Sequence, residues 1–257
     1  MTDFQISANS LYTPSRKEWP KEIKLPMPQP VVNVLFDLDG TLTDPREGIV
    51  ACFKYTLLEL GYCVPPDSDL ERYIGPPLRE GFASLLGSER HEQIDLAVAL
   101  YRQRFSERGI FDNVIYPGIH SALAQLDVMD AALYVATSKP RVFAERVIDH
   151  FGLKSYFREV HGSELDGTRS NKAELIAHIL AQESLSPHST FMVGDRAHDV
   201  IGAKANGIFP IGALWGYGTR EELSAAGATV FCDRPEMLSE MLLSNIAILP
   251  ASTSDRP

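Results

Sequence analysis

Two carboxylates, Asp37 and Asp39, stand two residues apart directly after the apolar run at residues 31–36. Residues i and i+2 of a strand share a face. Both side chains are therefore expected at the carboxyl edge of a buried strand, where open α/β sheets bind ligands. Adjacent buried carboxylates are unfavourable unless a cation or a proton compensates their charge. The pair predicts a metal, a shared proton or both, and Gly40 permits a turn that offers backbone N–H groups to an anion.

Three hydrogen-bond donors follow further along the chain. Thr137 and Ser138 come after the apolar run at residues 133–137, where hydroxyl and backbone N–H groups can donate to phosphate oxygens. Lys172 follows Asn171 at a helix start, with Glu174 at the third helical position. A lysine there opposes the helix dipole at a cost of about 0.3–1 kcal/mol. Broken local rules tend to mark functional sites. The plain alternatives are that Thr137 and Ser138 belong to an ordinary turn and that Lys172 is a solvated surface residue.

Another acidic motif, Gly194-Asp195-Arg196-Ala197-His198-Asp199, follows the apolar run at residues 191–193. Asp199 falls in a first helical turn, where acids are favoured anyway, but Asp195 has no such local reason. Strand ends in one sheet would bring these carboxylates, hydroxyls and the lysine into one crevice. That set suits phosphoryl transfer, which needs a nucleophile, a proton shuttle, a cation site and donors to phosphoryl oxygens.

The elements that must position these groups alternate between strand and helix. Alternation of this kind predicts a mainly parallel sheet with helices on both faces. The expected strands are residues 31–36, 133–137, 191–193, 208–214 and 229–231, and the expected helices include residues 141–150, 173–183 and 197–205.

A helical insert, residues 45–113, interrupts the alternation between the first and second strands. It is expected to form a small all-helical cap domain, with Asp44 capping its first helix and Pro45 at the first helical position. The core domain then comprises residues 31–44 and 114–247. Residues 1–30 predict an extended, proline-punctuated arm and residues 248–257 a tail.

Composition narrows the functional classes. A formal net charge of −10 over 257 residues argues against binding a nucleic-acid polymer or an anionic membrane. A phosphorylated small molecule stays possible, because a bound metal reverses the local field. Three cysteines without a CxxC pair predict reduced thiols and a cytoplasmic location. No segment has the length and apolarity of a membrane span, and the first thirty residues lack the apolar core of a signal peptide. A monomer and a homodimer are equally compatible with the sequence.

The motif set resembles that of the haloacid dehalogenase (HAD) superfamily of phosphatases over residues 31–245. Asp37-x-Asp39-Gly40-Thr41-Leu42, Thr137, Lys172 and Gly194-Asp195-x-x-x-Asp199 match its four motifs in order. The helical insert and the segment at residues 74–78 resemble the phosphoglycolate phosphatase-like branch. Residues 162–168 are similar to members described as 5′-nucleotidase-like or phosphoglycolate phosphatase-like. The resemblance implies a Rossmann-like HAD core, Mg²⁺ and an aspartyl-phosphate mechanism.

The resemblance also implies roles for single residues. Asp37 would be the nucleophile, and Asp39 would protonate the leaving oxygen and then activate water. Mg²⁺ would be held by the Asp37 carboxylate, the Asp39 carbonyl and Asp195, with Asp199 supporting the metal site through water or Lys172. Gly40, Thr137, Ser138 and Lys172 would bind phosphoryl oxygens.

Phosphomonoester hydrolysis is the main hypothesis, and four alternatives compete with it. A dehalogenase needs neither Mg²⁺ nor an acid at position 39. A phosphonate hydrolase needs a cap lysine, for which the insert offers Lys54. An intramolecular phosphotransferase (a mutase) shares every core motif, and a non-catalytic binding protein typically lacks the nucleophile or a metal ligand. Arg79 could meet a second anionic group of a small phosphorylated substrate bidentately, or be a solvated helix residue.

Overall fold

The computed structural model describes residues 32–87 and 91–246, so the expected arm at 1–30 and the tail at 248–257 lie outside the described residues. Six parallel strands form one sheet in the order β5-β4-β1-β6-β7-β8. The fold is α/β with a Rossmann-like arrangement, as predicted. The strands are β1 (Asn33–Phe36), β4 (Ala132–Pro140), β5 (Glu159–Ser163), β6 (Thr190–Gly194), β7 (Phe209–Ala213) and β8 (Val230–Cys232).

Helices cover both faces because each central strand alternates its side chains between two cores. Val34 and Phe36 of β1 pack in the larger core, and Leu35 packs in the other. A parallel sheet buried on both faces reads as a continuous apolar run, which explains why β1 and β6 were recognisable. The helices outside the insert are α5 (Ile119–Val128), α6 (Arg141–His150), α7 (Lys172–Gln182), α8 (Ala197–Ala205), α9 (Arg220–Ala226) and α10 (Leu238–Ile246).

The helical insert lies between two short strands, β2 (Thr43–Asp44) and β3 (Val114–Ile115), which pair antiparallel. An aromatic cluster of Phe53, Phe82 and Tyr101 fills it, with ring centroids 5.0–6.0 Å apart. Its role as a separate cap domain stays a prediction. Its helices are α1 (Arg46–Glu59), α2 (Asp67–Leu70), α3 (Leu78–Leu86) and α4 (His91–Arg104), with short turns of 3₁₀-helix at Glu71–Tyr73 and π-helix at Phe105–Gly109.

Three local predictions need correction. The strand expected to end at residue 137 continues through Pro140. The edge strand β5 was missed because Val160 is its only strongly apolar residue. Helix α1 begins at Arg46 rather than Pro45, yet Asp44 still stabilises its start, since its Oδ1 accepts the Arg46 N–H at 3.0 Å.

The three cysteines are free thiols, and within the described residues no helix is long and apolar enough to cross a membrane.

Candidate active site

Lys172 is held between two buried carboxylates at the carboxyl edge of the sheet. It is the first residue of α7, whose start is fixed by Asn171 accepting the N–H groups of residues 173 and 174. Its Nζ lies 2.8 Å from Asp37 Oδ1 after β1 and 2.8 Å from Asp199 Oδ1 in the first turn of α8. Lys172 is only 3% exposed. These ion pairs offset the unfavourable dipole position that singled Lys172 out in the sequence.

The two carboxylates beside Lys172 respond differently to burial. Burial raises the pKa of Asp37, although the Lys172 ammonium opposes this. Burial also disfavours ionised Asp199, but Lys172, His198 and the hydrogen bonds of this carboxylate together keep its pKa below the usual value. Asp199 Oδ2 accepts the Arg196 N–H at 3.1 Å, so both of its oxygens are engaged. Asp199 is therefore placed to hold Lys172.

Asp195 is fully buried and is fixed by two donors. Its Oδ1 accepts the Thr41 hydroxyl at 3.1 Å and its Oδ2 accepts the Tyr217 N–H at 2.8 Å. Burial, followed by the charges of Asp199 and Asp37, raises the pKa of Asp195 to about 8. Gly40, at φ +89°, packs so closely that a Cβ there would collide with the carboxylate. The position admits no side chain beside Asp195, which explains the glycine after the second aspartate.

The charges of this cluster fit a divalent cation. Asp37, Asp195 and Asp199 are buried together, and Lys172 is paired with Asp37 and Asp199 but not with Asp195. Ligand atoms of Asp37, Asp199 and His198 lie within 4.8 Å of one another. The Lys172 ammonium already lies between the Asp37 and Asp199 oxygens, however, so a metal fits better towards Asp195. Oxygen donors of this kind suit Mg²⁺, Ca²⁺ or Mn²⁺.

Asp39 forms an ion pair that the sequence did not reveal. Lys139 Nζ lies 2.6 Å from Asp39 Oδ1, and both side chains are almost fully buried. The same ammonium lies 4.9 Å from the centroid of the Phe105 ring in the insert. Lys139 is two residues after Thr137 in β4, but the strand pairing is irregular between Thr137 and Pro140. The two-residue period of a regular strand therefore could not place Lys139.

Thr137 and Ser138 provide hydroxyl groups at the same edge. Thr137 is buried, and its Oγ1 accepts the Lys139 N–H at 3.2 Å. Ser138 Oγ is buried and has no hydrogen-bond partner among the described residues. Buried hydroxyls normally find partners, so this orphaned group fits a ligand oxygen.

A cavity of about 460 Å³ extends from Asp39, Ser138 and Lys139 to the insert. This volume is in the range of small-molecule sites. Arg79 lies in the cavity wall, where it forms an ion pair with Asp95. Arg102 was missed by sequence reasoning, yet it also lines the cavity and donates to Leu165 O at 2.5 Å, in a loop after β5. Helical spacing alone did not distinguish it from a solvated arginine.

Acidic groups at the ends of parallel strands, a buried lysine and a helical insert over the sheet edge define the class of HAD-fold hydrolases. A family model described as haloacid dehalogenase-like hydrolase matches residues 34–213. The chain belongs to this family.

Three relatives illustrate what the chain is similar to. It is 44% identical to a 5′-nucleotidase of Pseudomonas aeruginosa, over 83% of this chain and 96% of that protein. It is 40% identical to the tyrosine-protein kinase PtkA of Mycobacterium tuberculosis, over 77% of this chain and 67% of that protein. The crystal structure of a predicted phosphatase from Clostridium acetobutylicum superposes with a TM-score of 0.80 at 38% identity, covering 83% of this chain and 98% of that one.

Proposed function

We propose that this HAD-family hydrolase is a Mg²⁺-dependent phosphomonoester hydrolase that acts on a small phosphorylated metabolite through an aspartyl-phosphate. The observation that carries the proposal is Lys172, buried and 2.8 Å from both Asp37 and Asp199. A lysine held against the first aspartate neutralises a nucleophile that must approach an anionic phosphoryl group.

In the first step, an Asp37 oxygen attacks phosphorus while the bond to the leaving oxygen breaks, and Asp39 gives that oxygen a proton. In the second step, Asp39 takes a proton from water, the water oxygen attacks phosphorus, and the bond to Asp37 breaks. Lys139 is paired with Asp39 in the structure, so proton donation requires this ion pair to loosen.

The remaining groups stabilise charge and position the phosphoryl oxygens. Asp37, the Asp39 carbonyl and Asp195 would hold Mg²⁺, which supplies positive charge against the transferring phosphoryl group. Thr137 and Ser138 donate to phosphoryl oxygens. Lys172 adds positive charge beside them, and it can donate as well once it releases one of its three acceptors, Asp37, Asp199 and the Ala136 carbonyl. The Gly40 N–H donates to Thr43 O at 2.8 Å, so phosphoryl binding by this group requires that bond to open. Asp199 acts through Lys172.

The cavity favours a small-molecule substrate. Its volume of about 460 Å³ exceeds the needs of a two-carbon phosphate ester and accommodates a nucleotide. The similarity to a 5′-nucleotidase supports nucleoside 5′-monophosphates, and that to a phosphoglycolate phosphatase of Pseudomonas putida is lower, at 27% identity. Nucleoside 5′-monophosphates therefore come first in a substrate panel, before phosphoglycolate and sugar phosphates.

A second candidate is transfer of the phosphoryl group to an acceptor other than water. The similarity to PtkA, whose name describes a tyrosine kinase, supports it, and a mutase would use the same core groups. The cavity beside Asp39 accommodates water or a small hydroxyl compound as the acceptor.

Phosphate release tests the proposal. We would measure release from a panel of phosphate esters with Mg²⁺ and with EDTA, and analyse the products for isomerised phosphate esters. Release should require Mg²⁺ and fall at least about 1000-fold in Asp37→Asn, since the attacking oxygen is lost. Isomerised products without phosphate would instead identify a mutase. An unchanged rate in Asp37→Asn would refute the mechanism.

A further inference from the structure

Two arginines line the cavity at its insert side, away from the phosphoryl-transfer groups of the sheet. Arg102 lies on α4, on the same helical face as Asp95, because residues seven apart are separated by about two turns. Arg79 lies near the start of α3. Both belong to the wall of the same cavity that reaches Asp39.

The two guanidinium groups differ in how their charge is balanced. Arg79 forms an ion pair with Asp95, whereas among the described residues no carboxylate lies within 4.0 Å of Arg102. Arg102 uses one terminal nitrogen to donate to Leu165 O at 2.5 Å. Its Nε is buried without a hydrogen-bond partner in the described part of the chain. A buried donor left unsatisfied costs about 1–3 kcal/mol, so this position favours an acceptor.

The charges around Arg102 also favour a bound anion. Burial, and next the positive charge of Arg79, lowers the pKa of Arg102. Two further carboxylates of the cavity wall, Glu80 and Asp166, are exposed, where water screens them. The half-buried Arg102 guanidinium therefore has a cation, Arg79, as the neighbour whose charge shifts its pKa.

We propose that Arg102, together with Arg79, binds a second anionic group of the substrate. The proposal rests on the proposed function for the reacting phosphate. It revises the substrate class from the simple nucleoside 5′-monophosphates that similarity favours to phosphomonoesters that carry a further carboxylate or phosphate. Arginine suits either group, because its fork of N–H donors matches both bidentately. The anion would satisfy Nε and compensate the repulsion between the two guanidinium groups.

Binding can be measured without turnover, which separates this proposal from the proposed function. Calorimetry on the full chain in Mg²⁺ would compare 3-phosphonopropionate with propylphosphonate, and propane-1,3-bisphosphonate with propylphosphonate. The wild type should bind at least one of the probes with two anionic groups about 10-fold or more tightly than propylphosphonate, equal to about 1.4 kcal/mol. The better probe identifies the second group as a carboxylate or a phosphate.

Variants assign that preference to Arg102. Arg102→Gln should abolish it while leaving the affinity for propylphosphonate within about twofold. Arg104→Gln is the matched control: it removes the same charge from the same helix, but Arg104 stacks over Tyr55, 5.2 Å from the ring centroid, and is absent from the cavity wall. Equal losses in both variants would indicate only a long-range charge effect and overturn the assignment.

Turnover provides the second readout. In wild-type protein, kcat/KM should be higher for 3-phosphoglycerate than for glycerol 3-phosphate, or for a nucleoside 3′,5′-bisphosphate than for the 5′-monophosphate. Arg102→Gln should lower kcat/KM for the preferred ester, the one with a second anionic group, about 10- to 100-fold. The value for the matched ester without that group should stay nearly unchanged. If the simple esters are turned over but neither assay shows a preference for a second anionic group, the second-anion site is overturned and the proposed hydrolase function is retained. No turnover combined with a binding preference retains the site and rejects the hydrolase.

Discussion

Replacing Asp195 by asparagine removes one of the four buried carboxylates of the site while preserving its shape. The asparagine oxygen can accept the Tyr217 N–H, and its amide nitrogen can donate to Thr41 Oγ1, because a hydroxyl also accepts. Hydrogen bonding is thus conserved, and the change isolates the charge of Asp195.

The size of the effect follows from the pKa of Asp195. This pKa is raised from 3.8 to about 8 by burial and by the charges of Asp199 and Asp37. Because the folded protein binds the proton more tightly than the unfolded chain, the free energy of unfolding falls as pH rises from about 4 to about 8. The full difference corresponds to at most about 6 kcal/mol, of which about 4 kcal/mol falls between pH 5 and pH 8. The asparagine variant lacks this contribution.

Urea unfolding in EDTA at pH 5, 6, 7 and 8 measures the contribution of Asp195 to the free energy of unfolding. The stability of Asp195→Asn relative to the wild type should rise with pH by up to about 4 kcal/mol. Mg²⁺ should stabilise the wild type at pH 8 and scarcely affect the variant, since a ligand stabilises only the state that binds it. Asp127→Asn, an equivalent change at an exposed residue of α5, is the control. A difference that stays constant from pH 5 to pH 8 would refute the charge argument, and equal stabilisation by Mg²⁺ would exclude Asp195 as a ligand.

Two further predictions concern stability. Lys172→Met leaves two buried carboxylates without their cation and should cost about 3–5 kcal/mol at pH 8. The loss of Lys172 raises the pKa of Asp37, so at pH 5 this carboxylate is more easily neutralised by a proton. Urea unfolding should therefore show part of the lost stability recovered at pH 5. Recovery at a higher pH instead would contradict this reasoning. Gly40→Ala should cost at least about 2 kcal/mol through backbone strain and collision with Asp195. Gly61→Ala, also at positive φ but in open space, should cost less in the same thermal or urea unfolding assay.

The sequence was sufficient to locate the groups that break local rules. Lys172 stood out because it opposes a helix dipole, and Asp37 and Asp39 because they follow a buried strand. The structure brings Lys172 to 2.8 Å from Asp37. These positions were predictable because apolar strands of a parallel sheet and the polar residues at their carboxyl ends leave a strong sequence pattern.

Groups that depend on long-range geometry were not predictable in the same way. Lys139 contacts Asp39 only because β4 continues beyond Thr137, and the apolar run had suggested an earlier end. The strand β5 lies at an edge, where fewer apolar residues are needed. Arg102 is held in the cavity wall by its hydrogen bond to Leu165 O, in a loop that follows β5 and is 63 residues away along the chain.

If the sheet carries the chemistry and the insert selects the substrate, one family can hold relatives named for a nucleotidase and for a tyrosine kinase. In the proposed mechanism, the sheet edge supplies the groups that act on phosphorus, and these groups do not distinguish water from another acceptor. The insert faces that edge with Arg79, Arg102 and Phe105. Substitutions in the insert should therefore change which ester is used while the dependence on Asp37 and Mg²⁺ persists, whereas substitutions at the sheet edge should affect all esters alike.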